Sequence, residues 1–472
     1  MNFKAIFYYL SFFCFPISFL AFLNILYSSY FNYFLSIDSY TVTLLVSLFV
    51  GGLLFFFGKN SLKKIEFHEQ IFLIILIYFI ASIFISIPYL LSNYQISYVN
   101  SLFEAFSGLT GTGFSIFGNI KYLDPTLIIW RSSSQWIGGL YFLVFLILFF
   151  SNSQFGYKLN NLVFTSDKSL NPEGNIKKIS LKIFFIYSLL SVLIFTLLSM
   201  SGIRLFNSLN LSMTIVSSGG FLPTNYLSDI IKTNYHQITL ILCFFLSLLN
   251  IFLLINIFSQ KRVIEKHYED LLIIVQVFLF SIIFYFLIKN MSFFESLLII
   301  LSSMTTSGIT ISSTSDSFVF YFLVLSIMGG SMISSTSGIK FLRIYILLKG
   351  TFTETLKLVK PNIVTNSNIL FSQSKINNDI VKLSFLVFIS FFLSLFILSS
   401  LLMIDNISFE NSFKLSILTI TNTTSSSLHG LENFNFSNLL TSSKIFIIIF
   451  MLIGKIELIS LFIIIKKIFF KN

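Results

Sequence analysis

Apolar runs of about 20 residues, long enough to cross a hydrocarbon core of roughly 30 Å, recur along the whole chain between short polar connections. The clearest are 71–91, 183–200, 238–257, 271–288, 385–404 and 445–465. Read in order, the pattern predicts spans at 5–30 and 37–58, followed by four pairs: 70–92 with 126–151, 178–201 with 235–259, 269–290 with 318–349, and 379–403 with 442–469. The opening run is too long for a signal peptide, lacks a small-residue cleavage site and leads at once into a second span, so it reads as an uncleaved membrane helix.

Inside each pair lies a segment of intermediate polarity, too short to span and too apolar for a free loop. The first runs from Ser101 through Thr110-Gly-Thr-Gly113, the second from Phe206 through Ser217-Ser-Gly-Gly220, the third from Phe294 through Thr305-Thr-Ser-Gly308, and the fourth from Phe409 through Asn422-Thr-Thr-Ser425. Each reads as a short apolar helix ending in hydroxyl residues, and three of the four end in glycine. The first and third share the pattern S-x-[LM]-T-x-[TS]-G, and the endings recur every 90 to 120 residues, which is an internal fourfold repeat. Unpaired backbone groups in lipid cost several kcal/mol each, so non-helical chain at membrane depth survives only where it is buried in protein or lines water. Four such stretches about one axis predict a pore. Glycine after the hydroxyl residues permits φ > 0 and lets successive carbonyls face that axis. The short helices would aim the negative ends of their dipoles at an ion there. Taken singly, each segment is equally an ordinary re-entrant or interfacial helix with a glycine cap.

Composition agrees: of 472 residues 55% are hydrophobic, 18% aromatic and 10% charged, against about 25% charged in soluble domains. Most of the 62 phenylalanines read as lipid-facing or packing residues. Cys14 and Cys243 lie inside apolar runs and read as small buried hydrophobes, and the four histidines stand singly without metal-ligand spacing. Gly108 to Gly113 lacks the lysine and the preceding strand of a phosphate loop. No nucleophile, base and orienter trio is apparent, which argues against an enzyme.

The net charge of +11 lies in alternate connections. Lys59, Lys63 and Lys64 fall in one, Lys158, Lys168, Lys177, Lys178 and Lys182 in the next, and Lys261, Arg262 and Lys266, then Lys349, Lys357, Lys360, Lys375 and Lys382, then Lys466, Lys467 and Lys471 follow. The connections between carry Asp38, Asp124, Asp229, Asp316, Asp405 and Glu432. This is the positive-inside pattern with both termini cytoplasmic, and it offers no basic groove interleaved with aromatics for nucleic acid.

Two further features stand out. The third unit's second span is interrupted by Gly329-Gly330-Ser-Met-Ile-Ser334-Ser335-Thr336-Ser-Gly338, followed by Lys340 and Arg343. So many small polar residues suit either a segment that leaves helical geometry or a small-residue helix interface. Lys455 stands in the middle of the last apolar run, two residues before Glu457. A lysine there costs about 2.5 to 3.5 kcal/mol on insertion scales, so it must face water or a partner, or snorkel.

The membrane-pore-loop-membrane unit repeated four times after two leading helices, the start Trp130-Arg131-Ser-Ser-Ser-Gln135-Trp136-Ile-Gly138-Gly139 and the closing Met451-Leu-Ile-Gly454-Lys455-Ile-Glu457-Leu resemble the TrkH family of potassium uptake proteins, over essentially the whole chain. The two leading helices favour TrkH over the shorter KtrB relatives. The resemblance implies an all-α membrane protein of the cytoplasmic membrane, divided as leading helices 1–60 and pore repeats 61–152, 153–260, 261–350 and 351–472. It implies a potassium filter formed by Thr110, Gly111, Thr112 and Gly113, by Ser217, Ser218 and Gly219, by Thr306, Ser307 and Gly308, and by Asn422, Thr423, Thr424 and Ser425. It further implies an intramembrane gate at Gly329, Gly330, Ser334, Ser335, Thr336 and Gly338, and a fixed cation below the filter at Lys455, where the family usually has arginine. The implied partners are a TrkA-like nucleotide-binding cytoplasmic ring, a second copy of the chain, and lipid. No organic cofactor is expected.

The chain departs from that pattern with Ser425 where the fourth loop usually has glycine and with Gly111 where the first has threonine. Four unlike loops predict weaker discrimination of potassium from sodium, so a less selective cation channel or transporter is the nearest alternative. The other is an ion-coupled transporter of a small solute, which needs intramembrane carboxylates. Glu104, Glu295 and Glu410 are the candidates, and helix capping explains their positions equally well.

Overall fold

Long apolar stretches with few helix breakers, started by capping residues and stopped by glycine, asparagine or polar turns, give fifteen α-helices among the described residues. The computed structural model describes residues 2–33, 37–61, 65–151, 176–251, 253, 267–288, 291–311, 316–360, 368–369, 376, 378–432 and 434–456. Helices α1 (Phe3–Tyr30) and α2 (Ile37–Gly58) form a leading hairpin. Unit one follows as α3 (Phe67–Leu90), α4 (Tyr98–Thr110) and α5 (Pro125–Ser151), and unit two as α6 (Ile176–Met200), α7 (Leu205–Val216) and α8 (Asn234–Leu248). Unit three is α9 (Tyr268–Leu287), α10 (Phe293–Met304), α11 (Val319–Met328) and α12 (Phe341–Val359). Unit four is α13 (Asn378–Ile404), α14 (Phe409–Thr421) and α15 (Thr441–Ile456). Six of these helices are long and apolar enough to cross a membrane. The span expected at 318–349 is two helices broken between Met328 and Phe341. The ends of the runs expected at 235–259 and 442–469, with Glu457, lie outside the described residues.

The units close into a ring. In each, the short helix packs between its own two flanking helices: α4 between α3 and α5, α7 between α6 and α8, α10 between α9 and α11, α14 between α13 and α15. Each short helix also packs against the second long helix of the preceding unit, namely α7 on α5, α10 on α8, α14 on α11 and, closing the circle, α4 on α15. The first unit is therefore the neighbour of the fourth, and the second lies opposite the fourth. The leading hairpin packs outside the ring against α3 and α5. Its α2 turns Leu45, Phe49 and Phe56 outward, each more than half exposed, as a lipid-facing surface requires.

Polar caps set the ends of the short helices. Ser97 accepts the Asn100 N–H at α4, and Ser292 forms a capping box with Glu295 at α10. In the first turn of α15, the Ser442 hydroxyl at 2.6 Å and that of Ser443 donate to Asp405, and these bonds hold its half-buried carboxyl below the usual carboxylate range. The long helices meet the short ones closely at glycine: a Cβ on Gly138 of α5 would lie 1.9 Å from the Leu109 carbonyl oxygen, and one on Gly454 of α15 would lie 2.2 Å from that of Ile420. Both obstacles are backbone and cannot swing away. Gly138→Ala is therefore expected to lower stability by about 1 to 3 kcal/mol, the usual range for overpacking. Gly52→Ala, whose Cβ meets nothing within 4 Å, should leave it unchanged. Thermal melting of the detergent-purified protein compares the two directly.

Candidate ion pathway

Each short helix ends in the same turn. The N–H of Gly111 bonds the carbonyl three residues back at 2.9 Å, and Ser218, Thr306 and Asn422 do likewise at 3.0, 3.1 and 3.3 Å. All four have left-handed backbone, with φ of +78°, +55°, +60° and +49°. Three of them carry a side chain that disfavours this region by roughly 1 kcal/mol or more. Such strain at one register position in three of the four loops means that the surroundings over-determine the turn. In loops two to four the next N–H reaches five residues back, Gly219 to Thr214 at 2.9 Å, Ser307 to Ser302 at 3.1 Å and Thr423 to Leu418 at 2.9 Å.

This hydrogen-bond pattern sets a register that differs from the sequence expectation at three places. The equivalent four-residue ends are Thr110 to Gly113, Ser217 to Gly220, Thr305 to Gly308 and Thr421 to Thr424. Gly220 therefore stands with Gly113 and Gly308, where Gly219 was expected to end the loop. Thr305 and Thr421 stand with Thr110, and Ser425 falls one residue beyond the ring, leaving Thr424 in the glycine place. A one-residue shift of this kind is invisible in a Ser and Thr run, because only the left-handed residue marks the turn. In loops one to three a hydroxyl then pins the outgoing strand: Ser107 donates to the Phe114 carbonyl at 2.6 Å, Thr214 to Phe221 at 2.9 Å and Ser302 to Ile309 at 2.5 Å. Leu418 stands at this position in loop four and cannot.

The four ends meet, each beside its neighbour. Thr424 donates its hydroxyl to the Gly113 carbonyl at 2.8 Å, the Ser217 carbonyl lies 3.8 Å from a Cβ placed on Gly111, and that of Ser307 lies 2.8 Å from one placed on Gly220. On one side the ring opens into a cavity of about 420 Å³ lined by the outgoing strands of all four loops, among them Ser115, Phe221, Ile309 and Ser425, together with Arg131 and Glu432.

On the other side lies the segment between α11 and α12. Its Ser335 hydroxyl is 2.8 Å from that of Ser218, and the Ser337 N–H donates to the Thr306 hydroxyl at 3.2 Å. Lys455 donates to the Ser337 hydroxyl at 3.2 Å, with its amine 3.7 Å from a Cβ placed on Gly111 and 4.4 Å from the centre of the Phe142 ring. Lys455 is buried and stands immediately beneath the first loop. Asn422 fixes its backbone: with the amide oriented so that donors meet acceptors, the side-chain nitrogen donates to the Met451 carbonyl at 3.0 Å and to Thr112 at 2.8 Å, and the oxygen accepts the Lys455 N–H at 3.1 Å. The segment is held in itself by Gly329 and Gly338, both at positive φ, by the Gly330 N–H on the Thr336 hydroxyl at 3.1 Å, and by the amine of Lys340 on the Ser334 and Thr336 carbonyls. From α9, Glu269 accepts the Met332 N–H at 2.7 Å. Glu269 and Phe142 escaped sequence reasoning, since nothing local links them to the segment. Lys340 was marked in the sequence as a cation directly after the small-residue run, though not its fold back onto Ser334 and Thr336.

Among the three candidate carboxylates, Glu295 is the cap expected, and exposed Glu410 pairs with Lys414. Glu104 is not a cap. It sits six residues into α4, fully buried, accepting from Arg131 Nε at 2.8 Å, from the Ile116 N–H at 2.9 Å and from the Ser115 hydroxyl at 3.2 Å. Arg131 also donates to Ser115 at 2.9 Å and lies 4.1 Å from the centre of the Phe221 ring, so one guanidinium ties loops one and two to α5. Gln135, one turn further along α5, accepts the Phe221 N–H at 3.2 Å. Arg131→Met, which strands a buried carboxylate, is expected to cost about 3 to 5 kcal/mol. Arg131→Met with Glu104→Gln should cost clearly less than Arg131→Met alone, and thermal unfolding of the single and double variants measures the difference.

Residues 36–255 match the family model described as TrkH, cation transport protein. The chain is 28% identical over 434 residues to the uncharacterized cation transporter MJ1485 of Methanocaldococcus jannaschii, covering 87% of this chain and 85% of that one. To the Trk system potassium uptake protein TrkH of Escherichia coli it is 24% identical over 459 residues, covering 92% of each. The crystal structure of the potassium transporter TrkH from Vibrio parahaemolyticus superimposes with a TM-score of 0.86 over 98% of both chains at 20% identity, which establishes a common fold. Family model, sequence relatives and fold thus agree: the chain is similar to the TrkH family of cation transport proteins, whose relatives named here are potassium transporters rather than enzymes.

Proposed function

We propose that the chain takes up potassium across the cytoplasmic membrane along the axis of this ring. The observation that carries the reading is the recurrence of one left-handed turn at one register position in four loops that meet at a common centre. Extended backbone at that depth brings carbonyl oxygens toward the axis, where they replace the hydration shell of a monovalent cation. Potassium as the cargo comes from the relatives named Trk system potassium uptake proteins. The filter is then Thr110 to Gly113, Ser217 to Gly220, Thr305 to Gly308 and Thr421 to Thr424. The driving force is the membrane potential, about 2.3 kcal/mol per 100 mV for each cation. Glu104, engaged by Arg131, is unavailable as a coupling carboxylate, so conduction down this gradient fits better than solute symport.

The segment from Gly329 to Gly338 acts as the gate, latched to the filter loops through Ser335 and Ser337, and Lys455 adds a fixed positive charge to the barrier beneath. The latch opens unaided at a basal rate, and a TrkA-like nucleotide-binding ring docked on the basic cytoplasmic connections raises that rate, with two copies of the chain side by side and the termini of each in the cytoplasm. A fixed charge beside the path raises the barrier by at least about 1.4 kcal/mol, a factor of ten in rate. Lys455→Gln is therefore expected to raise uptake of radioactive rubidium into cells lacking their own potassium systems by about tenfold. Wild-type protein that takes up neither rubidium nor sodium in such cells would end the reading.

A further inference from the structure

The ring is not four equivalent glycines. Three loops bring Gly113, Gly220 and Gly308 to the level nearest the cavity, and the fourth brings Thr424. Its side chain is buried and points into the space the three glycines leave. A Cβ placed on Gly220, in the loop opposite, would lie 2.3 Å from the Thr424 Cβ and 2.6 Å from its Cγ2. One on Gly113 would lie 2.6 Å from the Thr424 hydroxyl oxygen, and one on Gly308 would lie 3.0 Å from Cγ2. One side chain thus touches all three other loops, including the one across the axis. The hydroxyl meanwhile donates to the Gly113 carbonyl at 2.8 Å and withdraws that oxygen from any ion.

Resting on the pore reading above, we propose that Thr424 sets both the rate and the selectivity of cation passage at the cavity end of the filter. A cation arriving from the cavity meets a methyl group and a hydroxyl across the axis and cannot enter until the side chain turns to another rotamer. A β-branched side chain has few such rotamers, and this one also gives up its bond to Gly113 on turning. Once turned, it leaves a site with three glycine carbonyls and a mobile hydroxyl in place of a fourth fixed strand. A rigid ring of carbonyls discriminates cations through the number and field of its ligands. A site with one adjustable ligand follows the size of the ion and separates potassium from sodium poorly.

Thr424→Gly should therefore raise both rubidium flux and the potassium-to-sodium permeability ratio in liposomes reconstituted with the purified chain, each by about fivefold, the factor associated with one neutral hydrogen bond. Thr424→Ser removes only Cγ2, the atom against Gly220 and Gly308, and should give a smaller rise in flux. Thr424→Val keeps the bulk against Gly220 and Gly308 but has no bond to Gly113 to give up, and should raise flux less than Thr424→Gly without improving the potassium-to-sodium ratio. Monodisperse elution and an unchanged melting temperature establish that each variant is folded. If wild type conducts and folded Thr424→Gly matches it in flux and ratio, the assignment of Thr424 is overturned while the pore stands. If wild type and Thr424→Gly alike pass none of lithium, sodium, potassium or rubidium, the pore reading fails and takes this assignment with it.

Discussion

The structure depends on making four peptide strands leave a helix inside a bilayer without stranding their polar groups. The device is the left-handed residue that ends each short helix: it turns the chain sharply enough for an N–H just beyond it to reach back to the helix end, that of the next residue in loops two to four and that of Gly113 in loop one. Left alone, Ser218, Thr306 and Asn422 would leave that conformation, so each must be held. Ser218 is held through the Ser335 hydroxyl, Thr306 through the Ser337 N–H, and Asn422 through α15. The residues that hold two of these turns belong to the segment proposed as the gate. Filter geometry and gate position are therefore one constraint seen from two sides: withdrawing the segment removes partners from the strained residues above it.

The charges are arranged around the same need. Arg131 and Glu104 stand behind loop one, where the pair ties the strand leaving the ring to the helix entering it, and the guanidinium lies over Phe221 of the next loop. Desolvating two ions makes such a pair a poor source of stability by itself, and its value is the geometry it enforces. Lys455 and Lys340 lie on the opposite side of the ring, one reaching up to Ser337 and the other folded into the segment it follows. Neither faces lipid, so the insertion cost of each is met by hydroxyl and carbonyl oxygens and by the ring of Phe142.

What could be read from the sequence divides along the range of the interaction. Apolar length and the alternation of basic and acidic connections are local properties, and the spans, the four short helices and the break after Met328 follow from them. Lys455 announced itself because an apolar helix cannot hide an ammonium. The register of the fourth loop could not be read, since Thr421 to Ser427 is an almost unbroken run of hydroxyl residues and the turn is fixed by a bond from Thr423 to Leu418. The role of Glu104 was illegible for a similar reason: its partner is 27 positions away on another helix. Capping was the only local explanation on offer, and it was the wrong one. The tight seat of Gly138 against Leu109 likewise exists only once two helices have met.

The fourth loop departs from the others twice, and the two departures belong together. In loops one to three a hydroxyl near the helix end pins the carbonyl seven residues on, so each strand is braced by its own helix. Leu418 removes that brace from the fourth. Thr424 supplies a hydroxyl two residues past the turn, and its bond goes to the neighbouring loop at Gly113. The fourth strand is thus held by the ring, whereas the other three are held by their own helices. A strand braced by its neighbour moves when the neighbour moves, and a side chain doing the bracing from the axis is in the way of anything that travels along it. The asymmetry that weakens this loop as a rigid ligand is the same one that puts a movable obstacle in the path.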